Sequence, residues 1–252
     1  MLNIVVPMAG HGSRFRKAGY ELPKPLIPVS GKPMISLVIG NLRPACEHRF
    51  IFICLRDHAT TYQVDQQLKA WCPNCEVIFV DQVTEGAACT VLLAKDFINN
   101  DDPLMIANSD QWVDIDINDY LQSMTDQAAD GLIMTMTADD PKWSFVGFDE
   151  TGKISQVVEK QVVSNEATVG IYNYRCGKFF VEAAETMIAQ DIRVNGEFYV
   201  APAYNEMITE GKKLACYNIG SEAQGMYGLG IPADLDLFQS LPVCQKAIAT
   251  AA

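Results

Sequence analysis

The residues with the most chemical potential lie between Pro7 and Ile35. Pro7–Phe15 reads PMAGHGSRF, in which Ala9, Gly10, Gly12 and Ser13 are small and directly follow an apolar run. Such a turn lets backbone N–H groups approach an anion, because no bulky side chain blocks the path. Arg14 adds a permanent cation. Pro23–Val29 then reads PKPLIPV, and proline on both sides of Lys24 restricts the backbone that carries its ammonium. Gly31–Ile35 follows as GKPMI. Neither common glycine fingerprint fits. The dinucleotide GxGxxG needs glycine where Phe15 stands, and a Walker A loop would need glycine at Leu26 and a hydroxyl at Pro33. GxGxR alone is also what a tight strand-to-helix turn looks like. The Pro-Lys-Pro segment moves the balance toward a site for phosphate.

The charge distribution points the same way. The chain has 252 residues, 31 acidic against 19 basic, and a formal charge of −12. A pI of about 4.6 argues against nucleic acid and anionic membrane surfaces as partners. Residues 1–43 run against this trend. They carry Arg14, Arg16, Lys17, Lys24, Lys32 and Arg43 against the single acid Glu21. A cationic segment in an acidic chain suggests a local anion site. The eight cysteines are too sparse for a disulfide scaffold and read as reduced thiols. Cys72 and Cys75 have CxxC spacing, but they follow a helical pattern and lead into a strand, the reverse of a redox site. A second CxxC for zinc is missing, so the pair reads as ordinary loop thiols. With no signal-like N-terminus and no apolar run of about 20 residues, a cytoplasmic location is expected.

Positioning these residues requires a sheet. Asn3–Pro7, Arg49–Leu55, Val77–Asp81 and Pro103–Ala107 are continuous apolar runs, the pattern of strands buried on both faces. Helical patterns at Pro33–Leu42, His58–Trp71 and Ala87–Phe97 separate them, giving βαβαβαβ over the first 110 residues. Strand-like segments then crowd together: Gly131–Thr137, Trp143–Phe148, Ile154–Glu159 and Thr168–Tyr174. Helices at Lys178–Gln190 and Val200–Glu210, a strand at Leu214–Asn218 and a helix from Pro232 to about Phe238 complete the reading. The expectation is an α/β, Rossmann-like, mixed but mainly parallel sheet flanked by helices, with a strand-rich second half. One domain spans 1–252, with an alternating strand–helix half at 1–110 and a strand-rich half with the C-terminal helix at 111–252.

The combined GxGxRF, PKPLIPV and GKPMI signature resembles the sugar-1-phosphate nucleotidylyltransferases, which make nucleotide sugars. Further matches run through most of the chain: TEGAA at Thr84–Ala88, ANSD at Ala107–Asp110, VEK at Val158–Lys160, VGIY at Val169–Tyr172, GEFY at Gly196–Tyr199 and GIPADL at Gly230–Leu235. The resemblance implies a GT-A type fold and a Mg²⁺-dependent reaction. In it, a sugar-1-phosphate or related phosphorylated acceptor attacks the α-phosphate of an NTP and pyrophosphate leaves. It places Ala9, Gly10, Gly12 and Ser13 around the triphosphate, Arg14 on the leaving group and Lys24 on the reacting phosphates. Glu85 and Gly86 line the nucleobase pocket, and Asp110 ligates the metal. Ser144, Glu159, Lys160, Val169 and Gly170 hold the acceptor, with Glu159 on hydroxyls and Lys160 on phosphate. CTP, dTTP and UTP all stay open as the nucleotide, and homo-oligomerisation is left open.

Three positions depart from the family pattern. Gly228 stands where a second metal carboxylate is expected, and Asp234 and Asp236 are out of register with it. Trp143-Ser144 replaces Tyr-Gly, and Gln161 replaces the proline after Glu-Lys, both where the acceptor binds. An unusual sugar phosphate or a non-sugar phosphate such as phosphocholine is therefore open as acceptor. Two other readings compete. Asp114-Ile-Asp116 is a DxD, as metal-dependent glycosyltransferases of similar fold use, although the alternation over Trp112–Ile117 and a cap at Asp119 suit a solvated strand end. A nucleotide-sugar-binding regulatory protein is the third reading, kept open by Gly228.

Overall fold

The first strand has apolar side chains for both faces, and the structure buries both. In the computed structural model, which describes all 252 residues, Leu2–Pro7 lies between His48–Leu55 and Leu104–Ala107, parallel to each. Glu76–Val80 extends this parallel set beyond His48–Leu55. Leu104–Ala107 then pairs antiparallel with Glu166–Tyr174, which pairs antiparallel with Gly131–Thr137. Leu214–Glu222 lies parallel to Gly131–Thr137. Ser144–Phe148 and Ile154–Glu159 form an antiparallel pair joined to Glu166–Tyr174 through Ala167 and Phe145. The result is one mixed sheet of eleven strands flanked by helices.

Alternation along Leu2–Pro7 feeds two cores. Ile4 and Val6 join a cluster of 31 buried residues on one face, and Val5 joins a cluster of 26 on the other. A third, smaller cluster gathers Phe15, Ile27, Val29, Trp112, Leu229 and Phe238. Phe15, which stands where a dinucleotide site would need glycine, thus anchors the turn after the first strand.

Several elements differ from the sequence pattern. Gln63 takes a left-handed conformation, φ 54°, and splits the expected helix over 58–71 into Arg56–Tyr62 and Val64–Trp71. The pattern over 87–97 resolves into Ala87–Leu92 and Lys95–Ile98. That over 200–210 becomes a 3₁₀ turn, Ala201–Ala203, followed by Tyr204–Thr209. The helix Ile117–Asp126 is capped by Asp116, whose carboxylate accepts from the Asn118 N–H, and Asp119 sits in its first turn instead of capping it. Short strands at Gln111–Val113 and Gly225–Gly228 pair antiparallel, and a further helix, Val243–Thr250, follows Pro232–Ser240. All eight cysteines are free. Burial pushes the Cys75 thiol up to about 11, so the CxxC turn holds unreactive thiols.

Candidate functional site

Pairing of Val5 with Ile106 brings the C-terminal ends of Leu2–Pro7 and Leu104–Ala107 to one edge of the sheet. The turn carrying Ala9 to Arg14 and the segment carrying Asn108 to Asp110 both leave from this edge. Open parallel sheets place ligand crevices there. Gly12 adopts φ 60° before the helix Ser13–Lys17, and a Cβ on it would lie 3.1 Å from Lys24 Cβ. The turn therefore needs glycine both for its backbone angle and for contact with Lys24. Lys24 opens a 3₁₀ turn, Lys24–Leu26, closed by a 2.8 Å bond from the Leu26 N–H to the Pro23 carbonyl. Its ammonium donates to Asp110 Oδ2 at 2.8 Å, across 86 residues of chain. Both side chains are about three-quarters buried.

A cavity of about 280 Å³ opens beside this pair, walled by Ala9 and Gly10 on one side and Thr84, Gly86 and Ala87 on the other. Lys24, Ser109 and Glu197 also face it. Gly86 has φ 141°, and a Cβ there would lie 2.4 Å from the Phe198 carbonyl oxygen. The Ala88 N–H donates to that carbonyl at 3.0 Å, and the Phe198 N–H donates to the Glu85 carbonyl at 2.9 Å. These bonds strap the segment around Glu197 onto the 84–88 turn. The Glu85 carboxylate is exposed and pairs with Arg193 at 2.7 Å, while Thr84 and Gly86 on either side of it line the cavity. The Thr84 hydroxyl braces the turn, donating to the Gly86 carbonyl at 2.9 Å.

A second group lies on the antiparallel pair. Ser144 and Glu159 are directly opposite in register, and the Ser144 hydroxyl donates to the Glu159 carboxylate. Burial holds the Glu159 carboxyl above its ordinary range, while Ser144 and Lys160 pull it back down. Lys160 takes φ 57°, a left-handed conformation that costs an ordinary side chain energy and is found where surrounding structure enforces it. Its ammonium donates to the Tyr199 hydroxyl at 2.7 Å and sits 4.8 Å from the centre of that ring. Val169 is buried. Gly170 has φ 82°, and a Cβ there would lie 2.1 Å from Asn108 Nδ2, so glycine lets this strand close on the turn that carries Asp110. Arg14 and Ser13 are exposed on the outer turn.

The glycine at 228 opens space for another acid. A Cβ on Gly228 would lie 3.2 Å from Asp234 Oδ2, and a Cβ on Gly230 would lie 2.6 Å from Asp110 Oδ2. Burial, then the charge of Glu222, holds the Asp234 carboxyl above its usual range, and Arg14 and Asp110 also act on it. Asp234 nonetheless belongs to the first turn of the helix Pro232–Ser240. The DxD carboxylates are engaged elsewhere: Asp114 pairs with Lys246 and Asp116 caps its helix. Thr84, Ser109, Glu197 and Tyr199 also belong to this neighbourhood, although the sequence motifs single out none of these side chains. GEFY at 196–199 was the available signal for the last two, but their placement depends on a strap that carries no periodicity.

The family model for nucleotidyl transferases matches residues 4–216. The mannose-1-phosphate guanylyltransferase catalytic subunit beta of Drosophila pseudoobscura pseudoobscura is 27% identical over 176 residues, 67% of this chain and 46% of that protein. The bifunctional protein GlmU of Methanococcus aeolicus is 24% identical over 213 residues, 83% of this chain and 47% of its own. The crystal structure of a nucleoside-diphosphate-sugar pyrophosphorylase from Vibrio cholerae RC9 superposes with a TM-score of 0.79 at 26% identity, covering 94% of this chain and 100% of that one. The chain spans about half the length of the curated relatives it matches.

Proposed function

The chain belongs to the nucleotidyl transferase family, and from that premise we propose that it condenses an NTP with a sugar-1-phosphate or related phosphorylated acceptor. An acceptor phosphate oxygen attacks the α-phosphorus in line, the bond from that phosphorus to the β-phosphate oxygen breaks, and pyrophosphate carries away the electron pair. Such transfer depends on positioning and charge neutralisation more than on a covalent nucleophile. One observation carries the reading: Lys24, paired with Asp110, lines a cavity walled by the glycine turn and the 84–88 turn.

In this reading the backbone from Ala9 to Ser13 receives the triphosphate, and Gly86 with Thr84 receives the base. Arg14 closes on the departing pyrophosphate, and Lys24 leaves Asp110 to neutralise the reacting phosphates. Glu159, steadied by Ser144, accepts hydrogen bonds from acceptor hydroxyls. Lys160 exchanges the Tyr199 hydroxyl for the acceptor phosphate, while Val169 and Gly170 form the floor. The donor set suits a magnesium ion: a cation, the Lys24 ammonium, already sits on Asp110, and carboxylate oxygen is the donor that hard cations favour. Asp110 would hold the ion, with Asp234 beside Gly228 as the next carboxylate. Bound Mg²⁺ would supply charge neutralisation on the phosphates. A cytoplasmic enzyme of nucleotide-sugar synthesis, with a nucleotide half at 1–110 and an acceptor half at 111–252, is the corresponding whole-chain reading. No helix is long and apolar enough to cross a membrane.

Pyrophosphate release tests the proposal. Purified protein with Mg²⁺ is screened against CTP, dTTP, UTP and GTP in combination with a panel of sugar-1-phosphates and phosphocholine. Pyrophosphate is expected for at least one pair. Silence across the panel together with tight binding of an intact nucleotide sugar would favour a regulatory protein, and sugar transfer from that nucleotide sugar would indicate a glycosyltransferase.

A further inference from the structure

The strand Ile154–Glu159 ends in Glu159 and leads directly to Lys160, the two side chains placed on the acceptor. It is paired along one edge only, with Ser144–Phe148. On that edge the Lys160 N–H donates to the Trp143 carbonyl at 3.0 Å. Peptide groups in an antiparallel pair alternate between the partner strand and the opposite side. The N–H and C=O of Val157 therefore face away from Ser144–Phe148, where no strand lies. Val157 is fully buried, so water does not satisfy them.

One side chain meets both groups. The Val157 N–H donates to Asn205 Oδ1 at 2.8 Å, and Asn205 Nδ2 donates to the Val157 carbonyl at 2.8 Å. A side-chain amide offers the same acceptor and donor as a peptide group, so Asn205 replaces a neighbouring strand over one residue. Tyr204, beside it in the helix Tyr204–Thr209, anchors this amide to the sheet. The Tyr204 hydroxyl donates to the Asn173 carbonyl at 2.9 Å, and its ring stacks on Tyr174 with centroids 4.6 Å apart. Upstream in the same segment, Tyr199 receives the Lys160 ammonium. The strand end is thus gripped on both edges: by Trp143 and Ser144 on one, by Asn205 on the other.

We propose that Asn205 is a positioning residue for the acceptor, an inference that rests on the nucleotidyl-transfer reading above. It acts through Val157, holding the strand where Glu159 meets Ser144 and Lys160 meets Tyr199. Without the amide, the two Val157 peptide groups can be satisfied only if the strand edge opens to water. Glu159 and Lys160 then lose their fixed separation. The nucleotide cavity keeps its walls, because Asn205 is not among the residues that line it.

The test compares wild type with Asn205→Ala and Asn205→Asp in pyrophosphate release, using the NTP and sugar-1-phosphate pair that turns over fastest. The aspartate keeps the shape of the side chain but, ionised, cannot donate to the Val157 carbonyl. Acceptor KM should rise in both variants, by up to about 10²-fold, the cost of misplacing a binding group by about 1 Å. NTP KM should stay close to wild type. Met207→Ala truncates a buried side chain of the same helix and should lower the melting temperature while leaving acceptor KM near wild type. Hydrogen exchange read by mass spectrometry should speed up over residues 154–160 in Asn205→Ala and stay slow over Leu2–Pro7, which shows that the fold persists. An unchanged acceptor KM, an NTP KM that rises equally, an equal acceptor loss in Met207→Ala, or unchanged exchange over 154–160 would each overturn the role of Asn205 alone. A wild type that releases no pyrophosphate with any pair would instead overturn the nucleotidyl-transfer reading, and this inference with it.

Discussion

At the scale of single residues, Lys24 and Glu159 carry the sharpest consequences. Lys24 is held between its 3₁₀ turn and the Asp110 carboxylate, so in the proposed reaction its ammonium stands beside the cavity before any phosphate enters. Removing a prepositioned charge from a transferring phosphoryl group costs about 10²–10³ in turnover. Lys24→Ala should therefore lower kcat by that amount while leaving the melting curve close to wild type; unchanged turnover would remove Lys24 from the mechanism. Glu159 tests the acceptor side through pH. Burial raises its carboxyl, so acceptor kcat/KM should fall on the acid side as pH drops through that raised value and the carboxylate is lost. Ser144 donates to the ionised form and lowers the pKa, so Ser144→Ala should move this acid limb to higher pH. A limb that stays in place would detach Glu159 from acceptor recognition.

At the scale of elements, what could be read in advance followed from continuous burial. The four parallel strands are apolar at nearly every position because both faces are covered, and their bounds agree with the pattern to within a residue. Elements without periodicity could not be read this way. Gln111–Val113 is three residues long, and Gln63 breaks a helix whose apolar spacing runs straight through it. The site followed the same rule. The glycine turn and Lys24 are local motifs, whereas the pairing of Lys24 with Asp110 and the turning of Glu85 toward Arg193 depend on distant segments. The C-terminal helix Val243–Thr250 shows how far propensity can mislead. Gly40 lies inside the helix Met34–Leu42, where alanine ordinarily gains about 0.5–1 kcal/mol. Here a Cβ would lie 1.9 Å from the Thr250 carbonyl oxygen. Gly40→Ala should instead destabilise the fold by about 1–3 kcal/mol, as overpacking does. Urea denaturation at constant m-value measures the sign, and a gain in stability would show that the C-terminal segment is not seated on this helix.

At the scale of the whole molecule, the charge total and the charge placement have to be separated. The six cations of residues 1–43 suggested one anion site, but the fold distributes them. Arg43 donates to the Trp71 carbonyl at 2.8 Å, beside the buried thiols, and Lys32 sits in a small hairpin, leaving Lys24 beside the glycine turn and Arg14, Arg16 and Lys17 on the short helix that follows it. The remaining excess of acid surrounds the body. Its ion pairs are mostly exposed, as with Arg56–Asp81 and Lys95–Glu185, and such pairs contribute about 0–1 kcal/mol each. A formal charge of −12 therefore acts mainly as self-repulsion, which salt screens over a length of about 10 Å at 0.1 M. The melting temperature at pH 7 should rise as sodium chloride goes from about 10 to 200 mM, the range over which screening sets in. The gain should shrink toward pH 4.6, where the net charge vanishes. Differential scanning fluorimetry across that grid gives the answer. A melting temperature that falls with salt at pH 7 would mean that local ion pairs outweigh the repulsion of the whole, and that the surface acids are arranged to hold the fold together.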